Sequence, residues 1–255
     1  MRPRRMVPAA LVLVALAGCG GPSQIGAGAV PRVSPPGSPL TYVAIGASES
    51  FGVGVADPAR DAWPQVFYRT ALQRAATLVD LGIPGATVAQ ALAAEVPEAR
   101  RLRPGLVTVW LNVNDLTAQV PPGRYERQLE RLLRTLRSGG AEVLVANTPP
   151  LDRFPRVIEC QPYAPEGNGC DRTRRLPISK VELAVDVYNV EIDRAAQASG
   201  ATLVDLHSWG EQVAASGHIS RFIGSDGLHP SIYGYMAIAG VFARAYRQTR
   251  HLGSS

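Results

Sequence analysis

The feature that most constrains the fold is a regular alternation of short apolar runs with longer amphipathic stretches. The apolar runs have strand length and predict strands over residues 41–46, 77–81, 105–111, 142–147 and 201–206. The amphipathic stretches have helical spacing and predict helices over residues 60–75, 87–100, 122–138, 178–198 and 231–248. Strands that alternate with helices form a parallel sheet covered on both faces. We therefore expect an α/β fold, a three-layer α/β/α sandwich around a central parallel sheet of about five strands.

The N-terminal segment has the composition of an export signal. Residues 1–6 are basic, and residues 7–17 form an apolar stretch that is too short to span a membrane as a mature helix. Residues 16–19 read Leu-Ala-Gly-Cys and resemble a bacterial lipobox. We predict a signal peptide over residues 1–18 and a lipidated Cys19 that anchors an exported protein to the bacterial envelope membrane. The alternative is an ordinary signal peptide that happens to contain a cysteine.

A segment rich in Gly, Pro and Ser over residues 20–38 predicts a flexible tether after Cys19. One folded domain is then expected over residues 39–250. The chain has a formal net charge of +5, and loss of the three signal-peptide arginines would bring it closer to balance. Such a charge does not indicate a nucleic-acid partner, and we expect a monomer.

Segments typical of sharp turns or functional loops follow three of the predicted strands. They are residues 46–50 (GASES), 82–87 (GIPGAT) and 112–115 (NVND), and a fourth segment, 226–230 (DGLHP), precedes the last helix. Each segment alone is a weak signal, because turns and helix caps use the same residues. Ligands bind at the carboxyl ends of parallel strands, so the four segments together indicate one functional site.

These four segments resemble the blocks of the SGNH, or GDSL, hydrolase family, and the resemblance extends over nearly the whole predicted domain. It implies a flavodoxin-like SGNH fold and a serine ester hydrolase. By the same resemblance, Ser48 is the nucleophile, His229 is its base, and Asp226 is the acid that orients the histidine. The oxyanion hole would consist of Ser48, Gly85 and Asn114.

The chemistry of these residue types agrees with the resemblance. A serine hydroxyl becomes a good nucleophile only when a base takes its proton, and histidine titrates near neutral pH. Attack on an ester places negative charge on the carbonyl oxygen, which the N–H groups of Ser48 and Gly85 and the amide of Asn114 could stabilise.

Two positions depart from the family pattern. Ala47 stands where the family has an aspartate, and Asn112 stands where it has a glycine. We expect the first change to loosen a hydrogen bond that supports the nucleophile turn. We expect the second to crowd the oxyanion site or to add a donor to it.

The predicted function is hydrolysis of a carboxylic ester through an acyl-enzyme intermediate, with a small ester or an acylated glycan as substrate. Two alternatives remain, an acyltransferase or deacetylase acting on envelope glycans and a non-catalytic carbohydrate-binding lipoprotein. The α/β-hydrolase fold is rejected, because its nucleophile elbow lies deeper in the chain and its acid lies on a separate strand. No cofactor and no metal are predicted, and His207, His218 and His251 are interpreted as surface or capping residues.

A long insertion over about residues 148–177 separates the fourth strand from the next helix. Cys160 and Cys170 lie in it, and in an exported protein we expect them to form a disulfide, although two free thiols are the alternative. Because the insertion follows a strand, it should border the active-site edge, with Phe154, Tyr163 and several arginines as candidate substrate contacts. We expect the disulfide to shape the substrate entrance rather than to support the core.

Overall fold

The computed structural model describes residues 39–162, 170 and 176–252. The predicted signal peptide, Cys19, the tether and Tyr163 lie outside the described residues. The sheet consists of β1 (Thr41–Gly46), β2 (Thr77–Asp80), β3 (Leu106–Trp110), β4 (Glu142–Ala146) and β5 (Thr202–Val204). All neighbouring strands are parallel. The predicted five-stranded parallel sheet is confirmed.

The helices flank this sheet. They are α1 (Ser48–Phe51), α2 (Pro58–Asp61), α3 (Trp63–Ala71), α4 (Val88–Ala93), α5 (Glu95–Leu102), α6 (Val113–Thr117), α7 (Pro122–Ser138), α8 (Pro155–Glu159), α9 (Ile178–Ser199), α10 (Leu206–Ala215), α11 (Ile219–Phe222) and α12 (Ile232–Leu252). One 3-10 turn, Leu151–Arg153, precedes α8.

The strand order is β2-β1-β3-β4-β5, so the chain moves outward from β1 to β2 and then crosses back to β3. The loops that follow β1 and β3 therefore leave in opposite directions. In open α/β sheets such a reversal creates a crevice at the carboxyl ends of the strands, and ligands bind there. The crevice of this protein lies between the segments that carry Ser48 and Asn114.

Each face of the sheet is covered by a separate hydrophobic layer. On one face, Val43 and Val107 of the sheet belong to the same apolar cluster as residues of α4, α5, α7 and α9. On the other face, α3 and α12 cover the sheet, and Trp63 stacks on Phe242 with ring centroids 4.1 Å apart. This three-layer arrangement confirms the predicted α/β/α sandwich, and it places the last helix against α3, β4 and β5.

Two predicted helices are each divided in the structure. Residues 60–75 contain α2 and α3, which are separated by the extended backbone of Ala62, with Pro64 in the first turn of α3. Residues 87–100 contain α4 and α5, which are separated at Ala94, three residues before Pro97. A proline interrupts a continuous helix because it lacks an N–H and its ring clashes with the carbonyl four residues earlier.

Candidate active site

Ser48 lies at a sharp turn between the end of β1 and α1. A Cβ built on Gly46 would lie only 2.0 Å from the Oγ of Ser50, so the close approach of the chain requires glycine at this position. Ala47 is buried and packs in the core. Ser48 is the first residue of α1, as expected, and it is half-buried at the carboxyl edge of the sheet.

The hydroxyl of Ser48 has a carboxylate partner that the sequence did not reveal. Its Oγ donates to Oε2 of Glu49 at 3.2 Å, and within the described residues it makes no hydrogen bond to His229. Burial raises the pKa of Glu49, while hydrogen bonds and the charge of His229 act in the opposite direction. Glu49 therefore lies close enough to both Ser48 and His229 to influence proton transfer between them.

Asp226 and His229 form a pair in the loop before α12. Oδ2 of Asp226 lies 2.5 Å from Nδ1 of His229, and its Oδ1 accepts from the backbone N–H groups of Leu228 and His229. Burial disfavours the charged form of Asp226, but these hydrogen bonds outweigh it and lower its pKa. Because Asp226 binds Nδ1, Nε2 is the ring nitrogen left to accept a proton from a nucleophile.

The His229 loop packs against the segment that follows α1. A Cβ built on Gly54 would lie 3.4 Å from the Cβ of His229. The hydroxyl of Tyr235, on α12, donates to the carbonyl of Val53 at 2.6 Å. These contacts bring His229 to the same edge of the sheet as Ser48.

Gly85 and Asn114 lie together on the other side of the crevice. Gly85 has a φ of +82°, and a Cβ built on it would meet nothing within 4 Å, so its backbone is open to an approaching oxygen. Nδ2 of Asn114 donates to the carbonyl of Ala86 at 3.0 Å, and the second N–H of this amide remains for a ligand. Two of the three residues predicted for the oxyanion hole, Gly85 and Asn114, thus belong to the loop after β2 and to α6, which a hydrogen bond joins.

Two polar residues near Asn114 in the sequence, Asp115 and Asn112, have structural partners. Oδ2 of the fully buried Asp115 accepts from the backbone N–H of Val88 at 2.9 Å, and burial raises the pKa of Asp115 to about 6. Asn112 is also buried, and its Nδ2 points to the carbonyl of Ala146 on β4 at 3.4 Å. The partner of Asn112 on β4 favours a structural role for its amide, and the expectation that Asn112 crowds the oxyanion site or adds a donor to it stays a prediction.

A second buried carboxyl group contacts the nucleophile turn from α5. Oε2 of Glu95 accepts from the backbone N–H of Gly46 at 2.9 Å, and only 2% of Glu95 is exposed. Burial raises the pKa of Glu95 to about 8, and the nearby Asp80 adds to this effect. The sequence contains one signal for this placement, since Glu95 lies four residues from each of the buried Ala91 and Ala99.

An apolar cavity of about 40 Å³ adjoins these segments. Glu49 lines it, as do Leu228 and Pro230, the two neighbours of His229 in the chain. Its remaining walls are mostly apolar and include Trp110, Phe154, Leu206, Trp209, Phe222 and Ile238. Phe154, which was predicted as a substrate contact, therefore lies in the wall of a cavity that Glu49, the chain neighbour of Ser48, also lines.

The insertion has two parts with different environments. Leu151 and Phe154 are buried and form a third hydrophobic cluster with Val181 and Val185 of α9. The first part of the insertion therefore supports the core, because these two side chains pack inward. The predicted Cys160–Cys170 disulfide is present, with a Cα–Cα distance of 5.5 Å.

The disulfide borders a groove of about 370 Å³ between the insertion and α6. Leu116 of α6 and Leu228 beside His229 line the same groove. The insertion thus reaches the active-site edge of the sheet, although its first part is also core.

Two further histidines, His207 and His218, have other partners. Nδ1 of the half-buried His207 lies 3.1 Å from the carbonyl of Thr148, and its backbone N–H donates to Asn147 at the start of α10. His218 caps α11. Within residues 39–162, 170 and 176–252, no group of three His, Cys, Asp or Glu side chains is suited to a metal ion. In the same described part of the chain, no helix is both long and apolar enough to cross a membrane.

Comparison with solved structures identifies the fold. TesA has a TM-score of 0.61 and 18% identity, covering 81% of this chain and 97% of TesA. The lipase/acylhydrolase from Enterococcus faecalis has a TM-score of 0.59 and 18% identity, covering 80% and 94% of the two chains. Axe2, an acetylxylan esterase from Geobacillus stearothermophilus, has a TM-score of 0.61 and 18% identity, covering 82% and 94%. At these identities the likeness shows the fold alone.

Sequence comparison supplies the family. No curated protein matches the chain significantly. The model of the GDSL-like lipase/acylhydrolase family matches residues 44–237, which include the segments that carry Ser48, Gly85, Asn114 and His229. The chain therefore belongs to the GDSL-like lipase/acylhydrolase family of serine ester hydrolases.

Proposed function

We propose that this protein cleaves a carboxylic ester through an acyl-enzyme intermediate on Ser48. The observation that carries the proposal is the Asp226–His229 pair, which the last loop brings to the sheet edge where Ser48 and the open backbone of Gly85 lie. A nucleophile, an oriented base and donors for an oxyanion are the parts that acyl transfer requires.

The first step transfers the proton of Ser48 to Nε2 of His229 while Oγ attacks the ester carbonyl carbon. For this step, the hydroxyl of Ser48 must exchange its hydrogen bond with Glu49 for one with His229. Asp226 stabilises the imidazolium that results. Collapse of the tetrahedral intermediate breaks the ester C–O bond, and the imidazolium gives its proton to the leaving alcohol. A water molecule then repeats the same sequence and releases the acid.

The oxyanion of the intermediate would accept hydrogen bonds from the backbone N–H groups of Ser48 and Gly85 and from the Asn114 amide. Gly85 can approach the oxygen closely because it has no side chain. The hydrogen bond from Asn114 to Ala86 fixes the two donor segments relative to each other before the substrate binds. Preorganised donors of this kind stabilise the transition state more than the ground state.

A cavity lined by Glu49, the neighbour of Ser48 in the chain, and by Leu228 and Pro230, the neighbours of His229, supports a short acyl group. Its volume of about 40 Å³ accommodates roughly three water-sized groups, and its walls are mostly apolar. An acetyl to butyryl chain fits such a space, whereas a longer chain would have to use the open groove along the insertion. Acetyl esters of carbohydrates belong to this size class.

We also propose that the enzyme acts in the cell envelope, as an exported protein that a lipid on Cys19 anchors to the membrane. The support is the sequence alone, namely a basic start, an apolar stretch and Leu-Ala-Gly-Cys at residues 16–19. Detergent phase partitioning of the full-length protein expressed in a bacterial host tests this proposal. Wild type should enter the detergent phase and Cys19→Ala should not, and equal partitioning of both proteins would exclude lipidation.

The catalytic proposal is tested with Ser48→Ala. This variant should keep its circular dichroism spectrum, lose labelling by a fluorophosphonate probe, and lose at least about 1000-fold in hydrolysis of p-nitrophenyl acetate. Ser138→Ala, which changes an exposed serine at the end of α7, is the matched control and should behave as wild type. A wild-type protein that neither labels nor hydrolyses any ester in an acyl-length panel would favour the non-catalytic alternative.

A further inference from the structure

The turn that carries Ser48 has few side-chain contacts of its own. The methyl group of Ala47 is buried in the core and accepts no hydrogen bond. Ser50 lies against Gly46, but its buried Oγ has no hydrogen-bond partner among the described residues. The position of the nucleophile therefore depends on contacts made by the backbone of Gly46, the last residue of β1.

Both backbone groups of Gly46 are bound by segments outside β1. Its carbonyl accepts from the N–H of Ile83, in the loop that leads to Gly85, at 3.0 Å. Its N–H donates to Oε2 of Glu95 at 2.9 Å. The first bond connects the nucleophile turn to the oxyanion loop, and the second connects it to α5, which is part of the packed outer layer.

A glutamate is unusual at this buried position. Only 2% of Glu95 is exposed, and burying a charged carboxylate without a cation is unfavourable in free energy. Its second oxygen, Oε1, has no hydrogen-bond partner among the described residues. No ion pair within the described part of the chain involves Glu95, and the one titratable group whose charge acts on its pKa, Asp80, is acidic. An apolar residue would be favoured here by burial alone, so the placement indicates that the carboxyl group has a specific role.

We propose that Glu95 is a positioning residue for catalysis: by accepting the Gly46 N–H it holds the turn that aims the hydroxyl of Ser48. This inference rests on the proposed function, in which Ser48 is the nucleophile. Glu95 does not touch the substrate. Its uncharged carboxyl group serves as a buried acceptor, and a glutamine can provide the same acceptor without an ionisable proton.

The test compares three variants at position 95 and one control. Glu95→Gln keeps the length and the acceptor, Glu95→Met keeps the length without the acceptor, and Glu95→Asp shortens the side chain by one methylene. Thr108→Val is the control, since it removes a buried hydrogen bond to Tyr42 in the same sheet without touching the turn. For each variant we would measure kcat, KM, the rate of fluorophosphonate labelling and the free energy of unfolding.

Loss of the acceptor should misplace the nucleophile and leave substrate binding nearly unchanged. Glu95→Met is expected to lower kcat and the labelling rate by about 10- to 100-fold, with KM within about twofold of wild type. Glu95→Gln should retain both rates within about threefold. Thr108→Val should lose stability but keep kcat. If Glu95→Met does not fold, the same fall in kcat and labelling rate is expected for Glu95→Asp.

Two results would overturn the inference. One is a folded Glu95→Met, or in its absence a folded Glu95→Asp, with wild-type kcat. The other is a Glu95→Gln variant that loses as much kcat as Glu95→Met, because the acceptor alone would then be insufficient. Failure of the proposed function looks different, since wild type itself would then neither label nor turn over.

Discussion

At the scale of single residues, the site depends on which partner each polar side chain has taken. The side chain of Asn114 faces the oxyanion loop, whereas that of Asn112, two residues earlier, faces β4. Both are asparagines after the same strand, so residue type does not separate their roles. The backbone does, because Asn112 precedes α6 with an extended φ of −155° and Asn114 lies inside that helix.

These two asparagines provide a matched pair for testing the oxyanion hole. Asn114→Ala should lower kcat by about 100- to 1000-fold, the usual loss for one oxyanion donor. Asn112→Ala should change kcat by less than about threefold, although it removes a weak buried hydrogen bond to Ala146. Steady-state kinetics on p-nitrophenyl acetate measures both effects, and equal losses in the two variants would contradict the assignment.

Glu49 should influence the pH dependence of catalysis. Burial raises the pKa of Glu49, whereas the charge of the nearby His229 favours the negatively charged form of this carboxyl group. Glu49→Gln removes this charge, so the acid limb of the kcat/KM profile should move to lower pH, by up to about one unit. Glu98→Gln, an exposed change on α5, is the control and should leave the limb in place. A limb that stays or moves to higher pH in Glu49→Gln would show that the two groups are not coupled in the active enzyme.

The sequence predicted Ser48, Gly85, Asn114, Asp226 and His229 as site residues because their segments, placed after strands or before the last helix, resemble the family's blocks. It did not locate Glu49 or Glu95. A glutamate beside a serine has the composition of any polar turn, and a glutamate within an amphipathic stretch is usually solvated. Only the tertiary packing of α5 against the end of β1 distinguishes Glu95 from its exposed neighbour Glu98.

At the scale of elements, the sequence predicted the bounds of the strands more accurately than those of the helices. β1 and the long helices α7 and α9 have the predicted starts, since their apolar patterns are unambiguous. β5 is shorter than predicted because the side chain of Asp205 accepts from the N–H of Ser208 and starts α10 at Leu206. The short helices α6, α8 and α11 have too few residues to show a period, so tertiary contacts alone define them.

The insertion gives a prediction at this scale. Replacing both Cys160 and Cys170 with Ser should change selectivity across an acyl-length panel by several-fold. The reason is that the disulfide lines the same groove as Leu228, the residue before His229. The bridge closes a short loop, for which roughly 2–3 kcal/mol of stabilisation is expected, much of it local. The melting temperature should therefore fall only modestly.

A substitution in the buried first part of the insertion provides a comparison with the loss of the disulfide. Phe154→Ala removes a core contact and should lower the free energy of unfolding by about 3–5 kcal/mol if its site does not collapse. Specificity constants and thermal unfolding would be measured for both variants. An unchanged substrate profile with a large loss of stability in the double serine variant would show that the disulfide is only a structural staple.

At the scale of the whole molecule, buried carboxyl groups should make stability depend on pH. Burial raises the pKa of Glu95 to about 8 and those of Asp80 and Asp115 to about 6. Groups with a raised folded-state pKa contribute stability that is present below their ordinary values and is lost as pH rises through the folded-state values. Asp226 and Asp205, whose pKa values are lowered, act oppositely and only in the acid range.

The free energy of unfolding of wild type should therefore decrease as pH rises from about 4.5 to about 8. Glu95→Gln cannot ionise, so wild type should lose roughly 1–3 kcal/mol more than this variant between pH 5 and pH 9. Urea unfolding at a series of pH values measures the difference, with Glu98→Gln as the surface control. Parallel curves for wild type and Glu95→Gln would mean that Glu95 does not change its protonation state over this range.

The docking of α12 determines at which stage of folding the candidate active site becomes complete. The hydroxyl of Tyr235 bonds to Val53 across 182 residues of sequence, and α12 also stacks on α3 through Trp63 and Phe242. Contacts between such distant parts of a chain carry a high cost in loop-closure entropy and slow the folding of a domain. The proposed base, His229, lies in the loop before α12 and reaches the proposed nucleophile only through this closure. We therefore expect a chain that emerges from its N-terminus to stay enzymatically silent until its last helix has docked.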